Sequence, residues 1–308
     1  MKAAIIIRSK NEERFIGSVL QRVLAQEFAE PYEVVVLDSG SQDHTCDIVR
    51  RFPVHLETIP PEQFTFGSAL NRGARIMRGE YVVFLSAHCL PCDHRWLCEL
   101  LTPLDLNPLV AATYGRQEPL QGVNRFEAME LERAFALREA KLVRAHFSNA
   151  NSAVRRQILQ DYPFDETILG GEDFLWSRLL PRPYTIQYVH TARVFHSHPP
   201  TFRYWRQRSY IEGLFVSYLE RVYGIPYLAE ESEEQKSTLK WHVLKKMGGV
   251  AHGLVRQRAF AALCLYPFYE LNRIYFYKKG KKTGARLYPR MTSPALPLLK
   301  QEGKAPAS

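Results

Sequence analysis

Two adjacent carboxylates follow a pair of glycines in the run Gly170-Gly171-Glu172-Asp173. A carboxylate at the start of a helix can cap the backbone N–H groups of the first turn. It can also act as a general base when it is held near a substrate hydroxyl. Because the two glycines indicate a loop that approaches another group closely, we take Glu172 and Asp173 as candidates for proton transfer.

Nitrogen and sulfur ligands for a metal ion occur in two places. The segment after Leu85 offers five of them within eleven residues, namely His88, Cys89, Cys92, His94 and Cys98. A structural zinc site is one interpretation, but a second Cys-x-x-Cys pair is missing, and cysteines are commonly small core residues. His196 and His198 form the second place. In an extended chain they point to opposite sides, so only one is expected to face a site.

Polar residues also follow the first two apolar runs of the chain. Asp38 opens a polar turn, where its carboxylate could accept hydrogen bonds from a nucleobase or a ribose, or could simply cap the turn. Ser9 and Glu12 have the Ser-x-x-Glu spacing of a capping box, which predicts that a helix starts there.

These groups are spread along an alternation of strands and helices. Continuous apolar runs predict buried strands at Ala3–Ile7, Glu33–Leu37, Val54–Ile59, Tyr81–Leu85, Val110–Tyr114 and Ala192–Phe195. The alternation indicates an α/β fold with a mostly parallel sheet. Ligands of such sheets lie beyond the carboxyl ends of the strands, which selects Arg8–Glu12, Asp38–Ser41 and Ser86–Pro91. No G-x-G-x-x-G or P-loop motif follows a strand, which argues against dinucleotide or P-loop chemistry.

The run from Phe64 to Gly73 places two aromatic residues before a predicted helix that carries Asn71 and Gly73. A glycine inside a helix costs about 1 kcal/mol relative to alanine. Gly73 therefore indicates close approach of the helix backbone, either to a ligand or to another element of the fold.

In order and spacing, these pieces together resemble glycosyltransferase family 2, whose members have the GT-A fold. The branch of bacterial rhamnosyltransferase-like enzymes is the most similar. The resemblance covers roughly residues 2–200 and rests on Arg8–Glu12, Val36–Thr45, Phe66–Gly73, Gly79–His88 and Gly171–Asp173. It implies a nucleotide-sugar-binding, Rossmann-like catalytic domain. It also implies inverting transfer of a sugar from a UDP or dTDP donor to a hydroxyl of a glycan or lipid-linked acceptor.

The resemblance also implies roles for single residues. Asp173 falls at the position of the catalytic base, with Glu172 beside it. Asp38 falls where the family binds the nucleobase, and Asn71 and Gly73 fall near the nucleoside. The other predicted nucleotide-binding residues are the strand-end residues Ser9, Glu12 and Ser86. Inversion is a single in-line displacement, so one base suffices, and a cation must stabilise the departing diphosphate.

One motif departs from the family pattern. The family usually has Asp-x-Asp, whose last residue binds Mn²⁺ or Mg²⁺, where this chain has Ser86-Ala87-His88. We hypothesise a divalent ion held by His88, the donor diphosphate and either His196 or His198, although hard cations prefer oxygen. Two alternatives stay open. Catalysis could be metal-free, with Arg193 or another cation in its place, or the site could be degenerate in a non-catalytic binding protein.

Length and composition fit this interpretation. The chain has 308 residues and is 46% hydrophobic, which is typical of a globular protein with a substantial core. Its five cysteines are an odd number, which favours a reducing compartment. The apolar run before Arg8 is too short for a signal peptide, and no stretch of eighteen apolar residues occurs. We expect a cytoplasmic protein, peripheral on the inner face of the cell membrane.

The basic residues are concentrated near the C-terminus. Residues 240–290 contain 12 Lys and Arg against a single acidic residue, Glu270. The nearly apolar run Ala259–Tyr269 and the lysines of Lys278–Lys282 are typical of an interfacial helix with a polybasic edge. We therefore predict a catalytic domain over 1–200, a helical appendage over 201–290 and a flexible tail over 291–308. The appendage contacts a membrane surface through 240–290 or only packs on the catalytic domain. Nucleic-acid binding is not expected, since no recognition motif is present.

Overall fold

The computed structural model describes residues 1–121, 125–135, 147–198, 201–225 and 260–289. The chain divides into two compact units. The first comprises Met1–Val123 and Glu130–His198, and the second comprises Asn124–Met129 and Pro199–Ser308. Residues 226–259 of the predicted appendage and the predicted tail at 291–308 lie outside the described residues.

The first unit is built on an eight-stranded mixed sheet with the order β3-β2-β1-β4-β7-β6-β8-β5. The strands are β1 Ala3–Ser9, β2 Tyr32–Asp38, β3 His55–Thr58, β4 Tyr81–Ser86, β5 Cys89–Pro91, β6 Val110–Pro119, β7 Asn151–Arg155 and β8 Thr185–His196. β1 pairs in parallel with β2 and β4, and β2 pairs in parallel with β3. β7 runs antiparallel between β4 and β6. The predicted α/β architecture is confirmed, and two strands that the sequence did not predict, β7 and β5, run antiparallel to their neighbours.

Helices cover both faces of the sheet. They are α1 Ile16–Leu24, α2 Thr45–Val49, α3 Phe66–Ile76, α4 Trp96–Leu106, α6 Arg156–Asp161 and α7 Glu172–Leu179, whereas α5 Arg125–Ala134 is divided between the two units. Ile5 and Ile7 of β1 pack in the core with α1 and α4, whereas Ala4 and Ile6 pack in the core with α3, α6 and α7. Successive side chains of a strand point to opposite faces, so a strand covered on both sides is apolar throughout. This explains the continuous apolar run at the N-terminus.

The predicted capping box at Ser9 and Glu12 is wrong. Ser9 is the last residue of β1, and α1 begins only at Ile16, without a side-chain cap. A capping box does occur in the next helix on the other face, where Thr65 and Ser68 cap α3 reciprocally. The side chain of Glu12 instead contacts His88 at the edge of the sheet.

The second unit contains two long helices, α8 Phe202–Tyr218 and α9 Phe260–Leu287, and a π-helical turn at Leu219–Tyr223. The two helices touch through their backbones at glycines. A Cβ atom on Gly213 would lie 2.1 Å from the carbonyl oxygen of Tyr277, and one on Gly280 would lie 2.0 Å from that of Tyr210. In the part of the chain that the structure describes, no helix combines the length and apolarity that crossing a bilayer requires.

Candidate active site

The loops after β1 and β2 are tied together by reciprocal hydrogen bonds. The backbone N–H of Asn11 donates to Ser41 Oγ at 2.7 Å, and the side chain of Asn11 accepts from the N–H of Gln42 at 2.8 Å. The N–H of Glu12 donates to Thr45 Oγ1 at 2.7 Å. Asn11 has a φ of 55°, a left-handed conformation that asparagine tolerates better than most residues. These bonds fix the backbone of Glu12 at the carboxyl edge of the sheet.

Asp38 caps the turn after β2, as one of its two interpretations predicts. Its carboxylate is buried and accepts from the N–H groups of Gly40 at 3.0 Å and Ser41 at 2.8 Å. Gly40 has a φ of +83°, so the turn requires a residue that adopts the left-handed region. A carboxylate has about four acceptor positions, so capping the turn is compatible with accepting a nucleobase N–H.

Asn71 and Gly73 have clear structural roles in α3. The amide of Asn71 donates to the carbonyl oxygen of Phe164 and to Glu166 Oε1, both at 2.9 Å, and accepts from the N–H of Phe164 at 3.1 Å. A Cβ atom on Gly73 would lie 2.7 Å from Ile6 Cγ2. Gly73 is therefore explained by the packing of α3 on the sheet. Asn71 holds the segment around residues 164–166, which leads toward α7.

The two carboxylates lie at the first turn of α7. Gly171, the residue before the helix, has a left-handed backbone conformation with a φ of +85°. Glu172 is 4% exposed, and its Oε1 accepts from Asn149 Nδ2 at 3.4 Å. Asp173 is half-buried. Its two oxygens accept from the backbone N–H groups of Asn149 at 3.2 Å and Phe174 at 2.8 Å. Asn149 thus holds both acids.

Burial dominates the ionisation of this pair. It raises the pKa of Glu172 to about 7, and the neighbouring Asp173 carboxylate adds to the shift. Burial also raises the pKa of Asp173, but the N–H groups of Phe174 and Asn149 and the charge of Arg8 oppose this rise. Two carboxyl groups with different surroundings can take different protonation states at one pH, which is a common feature of acid–base sites.

Arg8 brings a positive charge to the same edge. Its Nη2 lies 3.4 Å from Ser86 Oγ at the end of β4, and its guanidinium stacks 4.8 Å from the ring centre of Phe66. Arg8 Nε and the neighbouring Ser9 Oγ are buried and have no hydrogen-bond partner among the described residues. Buried polar atoms are nearly always paired, so two adjacent exceptions at a strand end indicate a place for a polar ligand.

Three histidines meet at this edge. Among the described residues, His88, His196 and His198 form a group whose donor atoms all lie within 4.8 Å of one another. His88 Nδ1 lies 2.7 Å from Glu12 Oε1, and His196 Nδ1 lies 2.6 Å from Gln117 Oε1. His196 Nε2 lies 3.2 Å from His198 Nε2. Imidazole nitrogens at such distances can share one metal ion.

The structure contradicts two expectations from the sequence and bears on a third. Both His196 and His198 reach His88, because β8 ends at His196 and the strand alternation stops there. No cysteine joins the group within the described chain, so the zinc–cysteine interpretation is wrong, and the five cysteines form no disulfide. Arg193 pairs with Asp93 at 3.6 Å and Glu118 at 3.7 Å. Arg8 is therefore the better candidate for a cation in the site.

The sequence matches the family model "Glycosyl transferase family 2" over residues 4–163, just over half of the chain. The chain belongs to glycosyl transferase family 2. The matched residues include β1–β4, α3 and β7, which surround the carboxyl edge just described. The protein is therefore a glycosyltransferase.

Curated relatives of this glycosyltransferase include two O-antigen chain rhamnosyltransferases. RfbN of Salmonella typhimurium is 26% identical over 242 residues, a match that covers 73% of this chain and 76% of that protein. WbaN of Salmonella anatum is 27% identical over 214 residues, covering 63% and 67% respectively. The sequence prediction of a rhamnosyltransferase-like family 2 protein is confirmed at the level of similarity.

Solved structures show the same GT-A fold. A mannosyltransferase from Pyrobaculum calidifontis, in complex with GDP-Man and Mn²⁺, has a TM-score of 0.60 and 20% identity, covering 93% of this chain and 87% of that one. Residues 1–349 of S. aureus TarS, in complex with UDP-GlcNAc, have a TM-score of 0.54 and 16% identity, covering 93% and 92%. These similarities establish the fold of the glycosyltransferase.

Three residues that contact the site are not singled out by any sequence pattern, namely Arg8, Gln117 and Asn149. Arg8 belongs to the selected run Arg8–Glu12, but nothing in the sequence shows that its charge acts on the carboxylates Glu172 and Asp173. Gln117 lies near the end of β6 and Asn149 just before β7. Their position beside strand ends makes them candidates, but only the order of the strands in the sheet shows that they reach the site. Only the antiparallel placement of β7 brings Asn149 to α7.

Proposed function

We propose that this glycosyltransferase is an inverting enzyme that transfers a sugar from a UDP or dTDP donor to a hydroxyl of a glycan or lipid-linked acceptor. One observation carries the proposal. The buried Glu172 and the half-buried Asp173 lie together at the carboxyl edge of the family 2 sheet, where both interact with the charge of Arg8. A base and a cation side by side are what attack by an alcohol on a sugar diphosphate requires.

Asp173 is the proposed general base. As the acceptor oxygen bonds to the anomeric carbon, its O–H proton passes to an oxygen of Asp173, and the bond from the sugar to the diphosphate breaks. Two backbone N–H groups donate hydrogen bonds to Asp173 and so stabilise its ionised form. Glu172 is buried more deeply, and burial raises its pKa to about 7, so we assign the shared proton of the pair to Glu172.

We place the nucleotide-sugar donor at the carboxyl ends of the strands. We assign the nucleobase to Asp38, and the polar groups of the nucleotide to Ser9, Glu12 and Ser86. The unpaired Nε of Arg8 and the orphaned hydroxyl of Ser9 support this placement. Arg8 would hold the diphosphate by charge-assisted hydrogen bonds, which are stronger than neutral ones.

A divalent cation is the proposed partner of the diphosphate. Mn²⁺ is bound by the mannosyltransferase of similar fold, and Mn²⁺ or Mg²⁺ is the ion that the family resemblance implies. His88, His196 and His198 would hold it here, since their nitrogens converge. A bound divalent ion would neutralise charge that develops on the leaving diphosphate. An all-nitrogen set suits a transition-metal ion and suits Mg²⁺ poorly.

The second unit supports a lipid-linked acceptor. α9 exposes Leu265, Phe268, Leu271 and Tyr275, and the exposed Lys278, Lys279 and Lys282 follow on the same side of the helix. A cavity of about 540 Å³ in this unit is lined by Arg203, Arg206, Gln207, Tyr210, Phe276 and Lys279. We assign catalysis to 1–200 and peripheral association with the inner face of the cell membrane to 201–290.

The decisive experiment compares wild type with Asp173→Asn. Transfer from UDP- and dTDP-sugars to lipid-linked acceptors is followed by product mass, and donor binding by calorimetry. We expect the variant to lose about 10²–10⁴-fold in turnover, the usual contribution of a general base, while donor affinity changes little. Full turnover in the variant would refute the assignment of the base.

A second candidate function is a non-catalytic nucleotide-sugar or membrane-surface binding protein. Ser86 and His88 at the positions of the family's metal-binding acids favour it. This candidate predicts that wild type binds a nucleotide sugar but yields no product with any acceptor, with or without added Mn²⁺. Product formation by wild type excludes it.

A further inference from the structure

Two of the three clustered histidines, His88 and His196, are held in fixed orientations by neighbouring oxygens. Glu12 Oε1 contacts His88 Nδ1 at 2.7 Å, and the two side chains are only 18% and 19% exposed. Gln117 Oε1 contacts His196 Nδ1 at 2.6 Å in a buried position. An oxygen that only accepts places the imidazole proton on Nδ1, and the lone pair is then on Nε2. Both rings therefore present the nitrogen that a metal ion would bind.

The spacing of the nitrogens fits a shared ion. His196 Nε2 and His198 Nε2 are 3.2 Å apart. Two nitrogens bound to one tetrahedral zinc lie about 3.3 Å apart, given Zn–N bonds of about 2.0–2.1 Å. The rings of His88 and His196 are stacked at 5.1 Å, and those of His88 and His198 lie 4.8 Å apart. The donor atoms of all three rings lie within 4.8 Å of one another.

The chemistry of the donors selects the ion. All three are imidazole nitrogens, and within the described residues no carboxylate belongs to the group. Mg²⁺ takes oxygen ligands in an octahedral arrangement, whereas imidazole suits Zn²⁺, Co²⁺ and their neighbours. We propose that His88, His196 and His198 form a three-nitrogen site that selects a Zn²⁺-type transition-metal ion over Mg²⁺. Glu12 and Gln117 are its positioning residues.

Three protein ligands leave a coordination position for an oxygen ligand, as in catalytic zinc sites. An oxygen of the donor diphosphate would take it, and only this last assignment rests on the proposed function. Oxygens that orient metal-bound histidines typically account for 10- to 100-fold in metal affinity. This gives Glu12 and Gln117 a measurable role that is separate from turnover.

The test uses the full-length, metal-free protein and visible absorption of Co²⁺. We expect one Co²⁺ per chain with intense d–d bands, displaced by equimolar Zn²⁺ and unaffected by a 1,000-fold excess of Mg²⁺. His196→Ala should abolish the bands, whereas His44→Ala, an exposed histidine outside the cluster, should leave them unchanged. Displacement of Co²⁺ by Mg²⁺, or unchanged bands in His196→Ala, would overturn the site.

The positioning residues are tested in the same assay. Glu12→Ala and Gln117→Ala should each weaken Co²⁺ binding by about 10- to 100-fold. Gln117→Glu keeps an acceptor oxygen and should restore it, and thermal unfolding of each metal-free variant checks folding. Unchanged Co²⁺ affinity in both alanine variants would remove the positioning role. Sugar transfer without Co²⁺ or Zn²⁺ binding would refute this site and leave the proposed function, whereas metal binding without transfer would do the reverse.

Discussion

At the scale of single residues, neighbouring carboxyl groups differ because their partners differ. Burial raises the pKa of both carboxyl groups, but two backbone N–H groups from Asn149 and Phe174 oppose this rise at Asp173, whereas Glu172 is almost fully buried. The anionic form is favoured where donors converge and disfavoured where water is excluded. The sequence makes Glu172 and Asp173 equal candidates for proton transfer. Only their surroundings in the fold distinguish the proposed base from the proposed protonated acid.

Glu172 should reduce the stability of the folded protein near neutral pH. Its folded-state pKa is about 7 against an ordinary value of 4.5, so the unfolded chain releases the proton first as pH rises. Stability therefore falls between these values, by up to about 3 kcal/mol from this group. Glu172→Gln should unfold at a higher temperature than wild type at pH 7.5, and the gain should vanish at pH 4. A constant difference across this range would contradict the pKa shift.

Arg8 should affect both donor binding and the proton transfer. Arg8→Ala removes a charged donor, and a charge-assisted hydrogen bond contributes about 1.5–3 kcal/mol, so the Kd for a nucleotide sugar should rise at least tenfold. Arg8 also lowers the pKa of Asp173. Its loss should move the acidic limb of the pH–rate profile to higher pH.

The matched control for Arg8 is Arg193→Ala. Arg193 also lies on a strand of the sheet, but Asp93 and Glu118 already pair with it. Donor affinity and the pH–rate profile should both stay close to wild type in this variant. Equal effects of the two substitutions would mean that a general loss of positive charge, and not the position of Arg8, is responsible.

At the scale of elements, the apolar runs predicted the parallel strands well, because a strand covered on both faces has a continuous apolar sequence. β7 was not predicted, since Asn151–Arg155 is short, mixed in polarity and antiparallel. The placement of Asn149 and the meeting of both late histidines depend on strand order and strand ends. Local periodicity carries no information about either, so the candidate residues could be named from sequence but their contacts could not.

The packing of α3 on the sheet predicts the effect of a single methyl group. In Gly73→Ala the new Cβ would meet Ile6 at 2.7 Å and Leu37 at 3.0 Å. Overpacking of this kind typically costs about 1–3 kcal/mol, whereas nucleotide affinity should be unchanged in the folded variant. Gly17→Ala in α1, where the nearest side-chain atom is 3.3 Å away, is the control and should be nearly neutral. A loss of nucleotide binding without a loss of stability would restore the ligand-contact interpretation of Gly73.

At the scale of the whole molecule, charge is divided along the chain. Residues 1–199 contain 22 basic and 24 acidic residues, whereas residues 200–308 contain 19 basic and 8 acidic residues. The described part of this basic region has apolar and lysine side chains on one exposed side of α9. Apolar surface and positive charge on one side of a helix are the two features that bind an anionic membrane surface together.

Charge reversal on α9 should therefore weaken membrane binding. Each basic residue near an anionic leaflet contributes about 1 kcal/mol, so Lys278→Glu with Lys282→Glu should lower affinity for anionic vesicles by at least tenfold. Binding of wild type should also fall as salt is raised, because the attraction is screened. The same reversal at the exposed Arg14 and Arg51 of the first unit is the matched control and should have little effect. If both pairs reduce sedimentation with vesicles equally, only net charge matters, and the exposed side of α9 is a solvated surface of the helix pair.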